Sequence, residues 1–61
     1  MNIKYFFEVF VDDTNEFRWR FKAPNGQIIA TGGEGYIRKV DCLHAIDMLQ
    51  IFSSKAPVVY V

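Results

Sequence analysis

Along the first half of the chain, apolar and polar residues alternate with the period of two that is typical of β-strands. The alternation runs over Ile3–Val11 and again over Phe17–Lys22, and a shorter apolar stretch follows at Gln27–Thr31. Residues that favour turns separate these stretches, at Asp12–Asn15 and Ala23–Gly26. The pattern therefore predicts a meander of three antiparallel strands.

Loop length decides which residues face each other in the first hairpin. A five-residue loop, Asp12–Glu16, sets Glu8 opposite Arg20 and also brings Val9 opposite Trp19. A four-residue loop would instead set Glu8 against Trp19. Burying a carboxylate among aromatic rings without a cation is costly, and so the longer loop is favoured.

The second hairpin is expected to have a four-residue loop, Ala23–Gly26, which pairs Lys22 with Gln27. This register sets Phe21 opposite Ile28. It also sets Trp19, which is expected to be a core residue, opposite Ala30, so that large side chains face smaller ones on one side of the sheet.

After a glycine-rich segment the period changes from two to 3.6, which predicts a helix from about Lys39 to Ser53. The expected buried stripe consists of Cys42, Ala45, Ile46, Leu49 and either Phe52 or Ser53. Four further apolar residues lie outside that stripe: Val40, Leu43, Met48 and Ile51. Because one small sheet cannot cover this much apolar surface, we expect part of the helix to contact another subunit.

A fourth strand is predicted at the end of the chain. Pro57 prevents the helix from resuming, and the β-branched and aromatic residues that favour strands follow it: Val58, Val59, Tyr60 and Val61. The element order is then β-β-β-α-β, an α+β fold in a single domain that spans residues 1–61.

Composition bears on stability and on partners. A 61-residue chain with one cysteine and one histidine has neither an internal disulfide nor the four ligands of a structural zinc site. Small domains lacking both usually depend on unusually good packing or on a partner chain. Equal numbers of acidic and basic residues give no overall field that would attract nucleic acid or a membrane. With no apolar run of about 20 residues and no signal-peptide pattern, a cytoplasmic protein without a cofactor is expected.

Three stretches of the chain carry a family pattern: Phe7-Glu8-Val9-Phe10, FRWRFKAPNGQIIATGGEGY at 17–36, and Ala56-Pro57-Val58-Val59. They resemble the YegP-like family of small bacterial proteins of unknown function. The resemblance implies a β(3)-α-β unit that occurs twice in one chain or as two identical subunits, joined in one sheet with exchanged C-terminal strands. Because this chain has one copy of the unit, a homodimer is implied, and the family supplies no catalytic residues.

The chain departs from this family at two places. A serine is common where Gly32 stands, and Ile37–Asp41, at the start of the helix, is more apolar than usual. Both departures lie where the chain passes from the third strand into the helix, so no function of that loop is carried over from the family.

One candidate site is a basic sheet face formed by Arg18, Arg20, Lys22, Phe6 and Phe10. Cations interleaved with aromatic rings can hold single-stranded nucleic acid through phosphate contacts and base stacking. Alternatively, this face is a solvated surface on which the long cationic side chains cover apolar groups. The second interpretation is favoured, because Glu8 is expected to neutralise Arg20.

A second candidate is an anion site at the loop that contains Gly32, Gly33 and Gly35, whose backbone N–H groups could cradle a small anion. The loop lacks the Lys-Ser/Thr ending of a phosphate-binding loop, and Glu34 would repel an anion. A sharp turn between strand and helix is the favoured reason for these glycines, with Tyr36 as an anchor.

The remaining reactive side chains fit structural roles better than catalytic ones. Cys42 lies on the buried stripe, where a thiol usually acts as a small apolar group. His44 has Asp47 three residues later, but no nucleophile that this pair would activate is identifiable. The sequence therefore favours a non-enzymatic structural or protein-interaction module over a nucleic-acid binder or an anion binder.

Overall fold

The computed structural model describes residues 4–61 and contains the predicted three-stranded meander. Its strands are β1 (Phe6–Val11), β2 (Phe17–Lys22) and β3 (Ile28–Thr31), arranged antiparallel in the order β1-β2-β3. Helix α1 (Lys39–Phe52) and a 3₁₀ turn (Ser53–Lys55) follow. The predicted α+β class is confirmed, and Ile3, which the prediction placed in the first strand, lies outside the described residues.

The first hairpin has the register that the carboxylate argument favoured. Glu8 lies opposite Arg20 and Val9 opposite Trp19. The turn is organised by Asp12, whose Oδ1 accepts hydrogen bonds from the backbone N–H groups of Thr14 and Glu16 at 2.9 and 3.0 Å. The five-residue loop is therefore confirmed.

The expected register of the second hairpin is wrong, because Lys22 pairs with Ile28, and Phe21 with Ala30. Counted between paired strand residues, as in the first hairpin, the loop is Ala23–Gln27 and has five residues instead of four. It is closed by a hydrogen bond of 2.9 Å from the Ala23 N–H to the Gln27 carbonyl. Within that loop Gly26 has a φ of +91°, a backbone conformation that glycine adopts readily. The pairing of the two strands is also irregular between Phe21 and Lys22.

The core lies where β2 meets α1, and it is small. The ring of Phe7 is 4.9 Å from that of Phe21 and 5.7 Å from that of Trp19, centroid to centroid. Among the apolar residues described, only Cys42 and Ile46 are buried, and both lie on the predicted stripe of the helix. Phe52, one of the two residues predicted for the end of that stripe, is 60% exposed.

The predicted fourth strand does not form within the single chain. Residues 56–61 pair with none of the three strands described. Val58 and Tyr60 are 81% and 92% exposed. A strand needs a neighbour to satisfy its backbone groups, and no part of the described chain supplies one here.

Candidate functional site

The structure brings the five residues of the predicted basic face together on the side of the sheet that faces away from the helix. Phe6 lies opposite Lys22, and Phe10 opposite Arg18, across β1 and β2. The Arg20 guanidinium lies 4.3 Å from the centroid of the Phe10 ring, and the Lys22 Nζ lies 5.9 Å from that of Phe6. The cations therefore cover the aromatic faces that a nucleic-acid base would need for stacking.

Glu8 forms ion pairs with two of the three cations on this face, Arg20 and Lys22. Its carboxylate is hydrogen-bonded to the Arg20 guanidinium, and its Oε1 lies 3.7 Å from the Lys22 Nζ. The hydrogen bond from Arg20, more than the charge of Lys22, holds the pKa of Glu8 below its ordinary value. The expected neutralisation of Arg20 by Glu8 is present in the structure.

Arg18 is held in a similar way at the other end of the face. Its guanidinium lies 3.3 Å from the Asp12 carboxylate and donates to the Gly32 carbonyl at 3.2 Å. A hydrogen bond from the Thr14 hydroxyl is the largest of the effects that lower the pKa of Asp12. Because all three cations of the face contact acceptors of the same chain, an incoming phosphate would compete with a carboxylate or a carbonyl at each of them.

The glycine-rich loop is shaped by close contacts between chain segments. A Cβ at Gly32 would overlap the indole of Trp19, and one at Gly35 would overlap the side chain of Glu16. The Gly32 N–H donates to the Trp19 carbonyl at 3.0 Å. Gly33 differs, since a Cβ there would meet no heavy atom within 4 Å. Two of the three glycines of the predicted anion loop thus have a steric reason that involves no ligand.

Tyr36 anchors the same loop, as expected. Its backbone forms a two-way bridge with Phe17, in which each N–H donates to the carbonyl of the other residue at 2.6 and 2.9 Å. The N–H of Tyr36 is therefore occupied by the sheet.

Two apolar grooves at the junction of sheet and helix were missed by the sequence reasoning. The smaller, of about 190 Å³, is lined by Phe7, Trp19, Phe21, Ala30, Leu49 and Ser53. The larger, of about 450 Å³, is lined by Trp19, Ala45, Met48, Leu49, Phe52, Ser53 and Ala56. The excess of apolar residues on the helix was the available sequence signal, but the grooves arise from how the helix crosses the sheet.

No catalytic arrangement is visible among residues 4–61. Cys42 is completely buried, and burial raises the pKa of its thiol, which makes the reactive thiolate harder to form. His44 is exposed on the helix. Within the same range, no three potential metal-ligating side chains come together, and no helix has the length and apolar character needed to span a bilayer.

A family model described as a domain of unknown function, DUF1508, matches residues 12–59. The chain belongs to the DUF1508 family. The resemblance to YegP-like proteins of unknown function is thereby confirmed.

Similar DUF1508 proteins occur in bacteria. A UPF0339 protein of Neisseria meningitidis serogroup B is 47% identical over 53 residues, which cover 87% of this chain and 93% of the relative. A UPF0339 protein of Treponema denticola is 44% identical over 55 residues, or 90% of this chain and 93% of the relative.

A solved structure shares the fold. The NMR solution structure of a protein from Haloferax volcanii is 39% identical, covers 100% of both chains and has a TM-score of 0.88. The names of these DUF1508 relatives state no activity, so function has to come from the surfaces described above.

Proposed function

We propose that this DUF1508 chain is a non-enzymatic assembly module that acts as a homodimer, in which Val58–Val61 of each subunit joins the other subunit as a fourth strand. The observation that carries the proposal is the exposure of this apolar segment, from 74% at Val59 to complete exposure at Val61. Valine and tyrosine side chains left in water at this density are unfavourable unless a partner covers them.

The total surface of the chain supports a missing partner. The chain exposes 5155 Å², about a quarter more than the roughly 4,100 Å² expected for a folded monomer of its mass. The excess, of order 1,000 Å², is similar to the roughly 800 Å² that each partner buries in a stable protein interface.

The grooves beside Trp19 supply a receiving site of matching chemistry. Both are lined mainly by apolar side chains, and both include Trp19 and Leu49. The two outer strands, β1 and β3, each have one edge unpaired within the described chain. A strand from a second subunit would pair with such an edge while its side chains fill a groove, and two-fold symmetry makes the exchange mutual.

The test is the molecular mass in solution, measured by light scattering over a wide dilution series. The full chain is expected to be dimeric, and a chain truncated after Ala56 is expected to lose the dimer. A matched variant in which Val58–Val61 is replaced by four serines keeps the length of the chain. It should behave like the truncated chain if the apolar side chains hold the strand in place.

Two results would contradict the proposal. A full chain that remains monomeric at all concentrations excludes exchange. A truncated chain that retains the full dimer mass shows that the C-terminal segment is not the source of association.

A further inference from the structure

Helix α1 has a second face, which points away from the sheet and has an exposed apolar residue at each end. Val40, His44, Asp47 and Ile51, named here the outer seam, are spaced by four, three and four residues. At 100° per residue they fall within a sector of about 60° on the side opposite Cys42. Val40 and Ile51 are 54% and 63% exposed, although the spacing of the seam is that of a helix that packs against another helix.

The outer seam is symmetric about its own midpoint. Val40 and Ile51 lie at equal distances from the centre of the seam, and so do His44 and Asp47. A second copy of α1 laid antiparallel would therefore place Val40 against Ile51 of the partner subunit. The same operation places His44 against Asp47 of the partner subunit. A two-fold interface requires this kind of self-complementary pattern.

Charge and hydrogen bonding favour the antiparallel arrangement over the parallel one. An imidazole always carries an N–H donor, and a carboxylate accepts. Within residues 4–61, His44 and Asp47 make no side-chain hydrogen bond or ion pair. In an antiparallel pair, His44 of each subunit could donate a hydrogen bond to Asp47 of the other, which gives two such bonds. A parallel pair would instead set the two Asp47 carboxylates against each other.

We propose that the outer seam is a homotypic docking surface, on which α1 of a second copy of this chain packs antiparallel. Leu43 and Met48, which are 41% and 48% exposed, border the seam on its two sides and extend the apolar contact. The four seam residues are distinct from the proposed strand exchange, because they face away from the sheet and line neither groove, whereas Met48 at the border also lines the larger groove. In a strand-exchanged dimer, the seams provide further contacts through which such dimers can associate.

The length of the helix limits the strength of this contact. The 14 residues of α1 extend over about 21 Å, so the seam alone buries less than the roughly 800 Å² per partner of a stable interface. Seam pairing should accordingly depend strongly on protein concentration.

Disulfide cross-linking of the full chain tests the pairing directly. The single variants Val40→Cys and Ile51→Cys change exposed positions and should leave the subunit folded, which circular dichroism can verify. Under mild oxidation, a mixture of the two variants is expected to yield a covalent Val40→Cys/Ile51→Cys heterodimer, because antiparallel seams bring these positions within disulfide reach. Each variant alone should give little product, and the wild-type chain, with Cys42 buried, provides the background.

A charge exchange gives the second arm. His44→Asp in both cysteine variants sets like charges together and should weaken association about three- to tenfold. Adding Asp47→His reverses the pair and should restore the yield of the cross-link.

Two outcomes would overturn the proposal: equal linkage of Val40→Cys with itself, or no product above background at the highest soluble concentration. Neither cysteine lies in the C-terminal segment, so this result can be judged separately from truncation after Ala56.

Discussion

Replacing Ile46 tests how helix α1 is oriented on the sheet, because the same helix carries a matched isoleucine on its opposite side. Ile46 is 7% exposed and Ile51 is 63% exposed. If the helix lies as described, the same substitution should be costly at the first position and nearly neutral at the second.

The expected magnitudes differ clearly. Removing a buried isoleucine side chain beyond Cβ costs about 2 to 5 kcal/mol, whereas trimming it to valine costs about 0.5 to 1.5 kcal/mol. Because a domain of this size has a stability of only about 3 to 5 kcal/mol, Ile46→Ala should be largely unfolded near room temperature. Ile46→Val should remain folded and measurable. Ile51→Ala and Ile51→Val should stay within about 0.5 kcal/mol of the wild type.

Urea unfolding monitored by Trp19 fluorescence and by far-ultraviolet circular dichroism gives these values. All variants need the same subunit concentration, because association adds to apparent stability. The lowest workable concentration keeps the outer seam dissociated, so that Ile51 reports only on its own subunit. Equal losses for Ile46→Val and Ile51→Val under these conditions would refute the described orientation of the helix.

Three further predictions concern pH, the second turn and the thiol. Since the folded state lowers the pKa of Glu8 and Asp12, their stabilising contribution is complete above the ordinary carboxyl pKa of about 4. This contribution is lost as the pH falls through the lower pKa of the folded state. The urea midpoint of the wild type should therefore decrease in acid, and that of Glu8→Gln should decrease less steeply. Gly26→Ala should lower stability by about 1 to 2 kcal/mol because of the positive φ, while Gly33→Ala, which meets no atom within 4 Å, should change thermal unfolding little. Cys42 should react with a thiol reagent such as DTNB only slowly in the native protein and fully in denaturant; a fast native reaction would contradict its burial.

The local elements could be predicted from the sequence because their causes are local. Strand alternation and helical periodicity correctly located β2 (Phe17–Lys22) and α1 (Lys39–Phe52). The first register was also predictable, since only one loop length gave the Glu8 carboxylate a cation opposite it. The family pattern spread over 17–36 was sufficient to identify the family.

The prediction for the register of the second hairpin was wrong because the length of the loop was misjudged by one residue. The predicted four-residue loop paired Gln27 with Lys22, but Lys22 pairs with Ile28, and the Gln27 carbonyl instead accepts a hydrogen bond from the Ala23 N–H. The turn-forming residues at 23–26 are compatible with either loop length, so the sequence did not decide this difference of one residue.

The sequence by itself determined the strands, the helix, the candidate basic residues and the excess of apolar positions on the helix. The pairing of Glu8 with Arg20 was predicted as well, but only the tertiary structure decided that Arg18 contacts Asp12 and Gly32, and that grooves open beside Trp19. It also decided that the outer seam of α1 faces solvent. The physical reason is that periodicity depends on neighbours along the chain, whereas ion pairing, grooves and exposed faces depend on how separate elements cross in space.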